Sequence, residues 1–370
     1  MPRPDACHVT VLHPLRDPRL FYKEVPSLRA AGFDVRLLAP HHSSGFDGDV
    51  PVVALPADRG RPARHRAAVA ALRELRPRIV HLHDPELLPL GRWAQRTWGA
   101  AVVYDRHEAY GTRAGLDGLA LRGLERWAVR WLDHVVLAEE GYRLWAEAAG
   151  VPHTVVPNYA LASGPAPAKR LPAPIRPADP LRLIYTGNVT ERRGLTTMLD
   201  LAALVKREGR PWRLTLCGRT QSEAERRRAE ARIAQEGLDA VVERVGWDRF
   251  VPQEEMAPHL ERAHVGLCLL TPSENYAASV PTKLYEYLQH GLPAVATDLP
   301  RWRRFLDETG AGSVVPPGAA GAAFDAIERW TREPDAYAAR SRSAAEAAPR
   351  YRWEEAAERL VGLYRSLLAR

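Results

Sequence analysis

A chain of 370 residues, 46% hydrophobic and 26% charged, is too long for one ordinary core and has the make-up of a globular enzyme of about two domains. Its opening, MPRPDACHVTVLHPL, lacks the basic start and apolar run of a signal peptide. No apolar run approaches the ~20 residues that span a bilayer, so a cytoplasmic location is expected. The formal charge of +7 favours anionic partners, such as nucleotides, acidic lipid headgroups or nucleic acid, without choosing among them.

In chain order, short apolar runs at His8–Leu12, Val35–Leu38, Ile79–His83, Ala101–Tyr104, His134–Leu137 and Thr154–Val156 read as buried strands. Cys7, Cys217 and Cys268 lie far apart in apolar stretches and read as reduced core residues rather than metal ligands. Helical patterns at Tyr22–Ala31, Ala63–Leu75, Leu87–Thr97 and Leu119–Trp131 separate the strands. The loop RDPRLFYKE after the first strand holds Asp17 and Arg19, which either meet a sugar or acceptor or pair with each other. The segments IVHLHDPELLPL and AVVYDRHEAY place His83, Asp84, Glu86, Asp105, His107 and Glu108 directly after apolar strands. Asp84 before Pro85 also reads as a helix N-cap with proline at the first helical position. A metal centre is the rival reading, but no ligand spacing supports one. The stretch LALRGLERWAVRWL interleaves Arg122, Arg126 and Arg130 with tryptophans and leucines. It reads as a packed helix with a charged outer stripe, or as a peripheral contact with an anionic membrane on its inner face.

Residues 160–180 are saturated with Pro and Ala and read as a linker. Beyond it the alternation restarts, with strands at Leu181–Tyr185, Arg213–Cys217, Val241–Val245, Val265–Leu269, Pro293–Ala296 and Gly312–Val315. The helical patterns between them fall at Gly194–Arg207, Ser222–Glu236, Pro252–Arg262, Thr282–His290, Trp302–Glu308 and Gly321–Arg332, and a last one spans Trp353–Leu368. Strands alternating with helices argue for two α/β, Rossmann-like doubly wound domains. Such a pair, joined by a linker, is expected to face across a cleft, with functional residues just after the strands.

Two strand-to-helix junctions of the second half carry the chemistry. TGNVTERRGLTTML runs from Gly187 through Arg192 and Arg193 to Gly194 and a helix. SVPTKLYEYLQHG places Lys283 in the first turn of another helix and Glu286 one turn later. A helix start presents unpaired N–H groups and partial positive charge to an anion. Two cations at separate junctions of one domain therefore suit a diphosphate, and Glu286 suits a sugar diol. Taken singly, each is also an ordinary surface pair or a solvated arginine run.

The succession YTGNVTERRGLTTML, WRLTLCG, ERVGW, KLYEYLQHGLPAVATDLP and GSVVPPG resembles the second domain of retaining GT-B glycosyltransferases of family 4, and HLHDPELL with VYDRHEAY is similar to a bacterial subgroup of them. The resemblance implies an acceptor-side domain at 1–165, a linker at 166–180, a nucleotide-sugar domain at 181–350 and a helix at 351–370 that returns to the first domain. It implies His107, Arg193 and Lys283 as catalytic, and Gly187, Asn188, Gly218, Gly246, Trp247, Thr282 and Glu286 as donor-binding. Asp17, Arg19, Asp84, Glu86 and Glu108 remain acceptor-side candidates. Asn188 and Ala278 depart from the residues usual at their positions, and His13–Arg19 lacks the family's double glycine. The implied reaction moves a sugar from a nucleotide diphosphate to a hydroxyl with retention, in bacterial polysaccharide, glycolipid or natural-product glycosylation, with no metal and no cofactor beyond the sugar nucleotide. A sugar-nucleotide epimerase or hydrolase on the same fold is the alternative. A nucleic-acid-binding protein is a further one, disfavoured because no nucleic-acid motif is present.

Overall fold

The computed structural model describes residues 3–107, 116–161 and 180–370. The chain forms two compact α/β units, one of Met1–Asn158 with Trp353–Arg370 and one of Tyr159–Arg352. The expected linker at 166–180 lies, but for Pro180, outside the described residues.

The first unit is built on β1 (Ala6–Val9), β2 (Val35–His41), β3 (Gly45–Asp47), β4 (Val50–Pro56), β5 (Ile79–Leu82), β6 (Ala101–Arg106), β7 (His134–Leu137) and β8 (His153–Val155). Their order is β3-β4-β2-β1-β5-β6-β7-β8, parallel throughout except that β3 runs against β4. β1 and β5 are buried along their whole length, the mark of strands covered on both faces. The helix Leu88–Trp98 sits close on the sheet because Gly91 faces it; a Cβ there would stand 2.7 Å from both Leu82 and Val102. The helix Trp353–Leu368 belongs to this unit, with the Trp353 indole donating to Ser27 Oγ at 2.8 Å.

Two differences from the sequence reading have clear causes. β1 ends at Val9 rather than Leu12 because side chains take the next amides. Asp84 accepts from the Val11 and Leu12 N–H groups, and Thr10 Oγ1 from Leu12 and His13. The β3–β4 hairpin was not anticipated, since GFDGDV carries the Gly and Asp of a loop and β3 lies almost wholly in solvent.

The second unit holds β9 (Arg182–Thr186), β10 (Arg213–Cys217), β11 (Val242–Val245), β12 (Val265–Cys268), β13 (Ala294–Thr297) and β14 (Gly312–Val315). The order is β11-β10-β9-β12-β13-β14, all parallel. Trp212, Trp302, Trp330 and Tyr287 fill its core. The helix Glu223–Gln235 starts where Ser222 Oγ accepts from the Glu225 N–H at 3.1 Å, an N-cap legible in the Ser-x-x-Glu sequence. In this order β9 pairs with β10 on one side and β12 on the other. The chain direction across the sheet reverses there, and such a reversal opens a crevice at the carboxyl ends of the strands. No described helix is long and apolar enough to cross a membrane.

His134, at the start of β7, lies 2.8 Å from Thr154 Oγ1 of the adjacent β8. Burial lowers its pKa from 6.5 to about 4. Between those values the unfolded chain binds a proton that the native state refuses, so stability falls as pH drops through that window. Denaturant melts across the window should show this slope, and His134→Gln should reduce it, leaving the share that the buried His8, His81 and His83 contribute. A slope identical to that of the parent would show that His134 is not its source.

Candidate functional site

The described candidate residues gather at the carboxyl ends of the two parallel sheets. In the second unit, β9 ends at Thr186 and the chain turns at Gly187, with φ of 105°. Gly218, which follows β10, faces it so closely that a Cβ would stand 2.0 Å from the Gly187 carbonyl oxygen. The Gly187 N–H donates to the Cys217 carbonyl. Gly194 is the second obligatory glycine: φ is 83°, and a Cβ would meet the Leu269 carbonyl at 1.9 Å. It closes the turn Glu191–Arg193 down on the end of β12 and so aims Arg193 inward.

Arg193 and Lys283 meet at this place. A methyl group on Gly187 would lie 3.4 Å from Arg193 Nη1 and 3.9 Å from Lys283 Nζ. Burial lowers the pKa of Arg193, but the neighbouring hydroxyls of Tyr185 and Tyr276 outweigh it and leave the pKa above the ordinary value. Lys283 Nζ stands 4.8 Å above the Tyr185 ring. Among the described residues neither cation forms an ion pair with a carboxylate. Burial lowers the pKa of Lys283 below the ordinary lysine value, and the charge of Arg193 acts in the same direction. Lys283 is the second residue of the helix Thr282–Gln289, whose cap, Pro281, supplies no side-chain hydrogen bond. On the same helix Glu286 Oε2 accepts from Thr186 Oγ1 at 3.2 Å. The preceding loop is pinned by the Trp302 indole, which bonds the carbonyls of Tyr276 and Ser279. Two cations, a helix start and a held carboxylate, all within one junction of the sheet, can receive a diphosphate with an attached diol.

In the first unit, His107 follows β6 and its Nε2 lies 3.0 Å from His13 Nε2. His13 in turn lies 3.4 Å from Asp84 Oδ1 and 3.5 Å from Asp17 Oδ2. Burial pushes the Asp17 carboxyl up, but its hydrogen bond to His13 and the Leu20 N–H outweigh this and leave it below the ordinary value. Glu86 is half-buried and lies 3.0 Å from His65 Nε2.

Comparison with known proteins adds the chemistry. The model for the family "Glycosyl transferases group 1" matches residues 180–333, and that for "Glycosyl transferase 4-like domain" matches residues 22–159. The chain is a GT-B glycosyltransferase. It is 25% identical to a phosphatidyl-myo-inositol mannosyltransferase of Mycobacterium leprae, over 92% of this chain and 90% of that protein. A sucrose-phosphate synthase from Thermosynechococcus elongatus superposes with a TM-score of 0.76 at 18% identity, covering 99% of both chains. Anabaena Alr3699/HepE, in complex with UDP-glucose, does so at 0.73 and 13% identity, covering 98% of this chain and 99% of that one.

Within this glycosyltransferase several expectations need correction. Trp247 is buried, and its indole donates to the Leu216 carbonyl at 3.0 Å, so it has no face to offer a nucleobase. Its carbonyl accepts from the N–H and hydroxyl of Thr220, which ties the loops at Gly218 and Gly246 together. Asp84 caps no helix with its side chain; it binds the loop after β1. Arg19 is 3% exposed and does not pair with Asp17 through its side chain. Its Nε lies 2.8 Å from both Glu24 and Asp105, while Asp17 Oδ1 accepts from the Arg19 and Leu20 amides. Arg19 and Asp84 therefore shape the site from beneath, with no surface to meet an acceptor. His83 and Asp105 are likewise fully buried. Glu108 lies outside the described residues. Asn188 is half-buried, and its carbonyl accepts from the Tyr185 hydroxyl at 2.7 Å. Tyr185, Tyr276 and Thr186, which hold Arg193 and Glu286, went unnoticed in the sequence. The available signal was the position of Tyr185 and Thr186 at the very end of an apolar strand before glycine.

Gly218→Ala should cost about 1–3 kcal/mol of stability through the backbone clash. Gly321→Ala, where a Cβ meets nothing within 4 Å, serves as the control and should cost nothing. Equal melting behaviour of the two variants would refute the close approach of the β9 and β10 ends.

Proposed function

We propose that this glycosyltransferase takes a sugar from a nucleotide diphosphate and passes it to an acceptor hydroxyl with retention of anomeric configuration. The observation that carries the reading is the meeting of Arg193 Nη1 and Lys283 Nζ beside Gly187, with no carboxylate partner among the described residues. Rupture of the sugar–phosphate bond builds negative charge on the departing diphosphate and positive character on the ring. Arg193, Lys283 and the first amides of the helix Thr282–Gln289 stabilise the leaving group, which takes over the work a divalent metal does elsewhere. Glu286, oriented by Thr186, accepts hydrogen bonds from the ribose diol. Gly187, Gly218 and Gly246 let backbone approach the nucleotide, and Asn188 lines the same turn. His107, held by His13, contacts the transferred sugar, and the departing phosphate accepts the acceptor's proton on the same face. The relation to a mannosyltransferase and the UDP-glucose complex of a structural neighbour make mannosyl and glucosyl nucleotides the first donors to try.

Lys283→Ala and Arg193→Ala should each lower turnover by ~10²–10³ while leaving the melting temperature near that of the parent. Because the pKa of Lys283 is depressed, affinity for a nucleoside diphosphate should fall as pH rises toward and through the alkaline range, before an ordinary lysine would titrate. Loss of that alkaline limb in Lys283→Arg is the expected companion result. Undiminished turnover in both alanine variants would refute the assignment, and inversion at the anomeric carbon, read by NMR of the product, would refute retention.

A further inference from the structure

Beneath the carboxyl ends of β1 and β5 lies a set of side chains that the transfer reaction does not use. His8 on β1 is in register with His81 on β5, and His83 follows β5. These three imidazoles and Glu24, from the turn Leu20–Glu24, are all 0% exposed. His8 Nδ1 lies 3.0 Å from His83 Nε2 and 3.5 Å from Glu24 Oε2, and His83 Nε2 lies 3.8 Å from that same oxygen. We propose that His8 Nδ1, His83 Nε2 and Glu24 Oε2 bind a structural divalent transition-metal ion, zinc foremost, in the core of the first unit.

The triangle fits the ion. Zinc bonds of 2.0–2.1 Å in a tetrahedron set ligand atoms about 3.3 Å apart, within the range of the three separations. Two imidazoles with one carboxylate are a donor set that zinc accepts. The other ring nitrogens are turned to partners that orient them. His8 Nε2 lies 2.8 Å from the Tyr364 hydroxyl, and His83 Nδ1 faces Asp105 Oδ2 at 3.7 Å. With His8 donating from Nε2 to Tyr364, its Nδ1 carries the lone pair; outer partners of this kind fix the tautomer of metal-bound histidine. Tyr364 then donates to His81 Nδ1, also 2.8 Å away. The fourth place falls to His81, which offers a ring nitrogen within 4.8 Å of the other three donors and whose ring stacks on His83 at 19°.

Without an ion, His8 Nδ1 and His83 Nε2 can share a proton, but the rest of the set stays unsatisfied. Among the described residues Glu24 Oε2 has no hydrogen-bond partner, and neither do His83 Nδ1 and His81 Nε2. Glu24 Oε1 faces Arg19, so the second oxygen is left to the imidazoles. Local spacing carries no hint of the site, because its donors come from three separate segments.

The test uses the untagged full-length chain, purified without chelator. Elemental analysis should find about one zinc per chain. Stripping with a chelator should lower the melting temperature, and zinc but not magnesium should restore it. Cobalt(II) added to the stripped protein should give the intense visible bands of a tetrahedral site. Glu24→Gln and His8→Gln should bind zinc at least tenfold more weakly, whereas Lys283→Ala should bind it normally, which separates this site from the diphosphate site. A folded parent that takes up neither zinc nor cobalt overturns the proposal, as do folded variants that bind as tightly as the parent. If the variants do not fold, the cobalt spectrum of the parent decides the matter.

Discussion

The second unit depends on backbone meeting backbone between Gly187 and Gly218. With no side chain between them the ends of β9 and β10 close together, and the turn Glu191–Arg193 can settle against the end of β12. Only then do Arg193 and Lys283 come within reach of one place. Holding two like charges so near, one of them buried, works against stability. The structure offsets this in part by laying Lys283 over the Tyr185 ring and by giving Arg193 two phenolic partners. The remaining imbalance leaves the junction with an excess of positive charge.

The first unit handles charge in the opposite way. Arg19 is buried between Glu24 and Asp105 and also bonds the Val156 carbonyl, so its charge is spent inside the protein. That single guanidinium joins the turn after β1, the end of β6 and the segment after β8. Removing it would leave two buried carboxylates facing each other, which is far costlier than losing a surface pair. His107 and His13 lie above this layer, and their positions derive from it.

The α/β class and nearly every strand were legible because a parallel sheet covered on both faces demands short continuous apolar runs, and β7, β10 and β14 match their sequence readings end to end. The helices Arg143–Ala149 and Pro334–Ala347 were missed; the second is alanine-rich with little apolar periodicity to mark it. The cations at the junctions stood out because each stands in sequence beside a helix start, Arg193 also directly before Gly194. What failed were placements that depend on tertiary contacts. The resemblance implied Trp247 as donor-binding, yet its indole lies in the core with its N–H satisfied. Arg19 was expected to meet a sugar or acceptor or to pair with Asp17, yet its partners are Glu24 and Asp105, the second of them on a distant strand. Contacts set by strand register, such as His8 with His81, cannot be found by reading along the chain.

One consequence concerns the order in which the molecule can be finished. The hydroxyl shared by His8 and His81 belongs to Tyr364, which emerges from the ribosome only after the whole of the second unit. Until then the inner face of the first sheet lacks both that hydroxyl and the helix that carries it. The first unit therefore matures last, although its strands are made first, and a nascent chain paused before residue 353 would expose an unsealed polar core to proteases and chaperones.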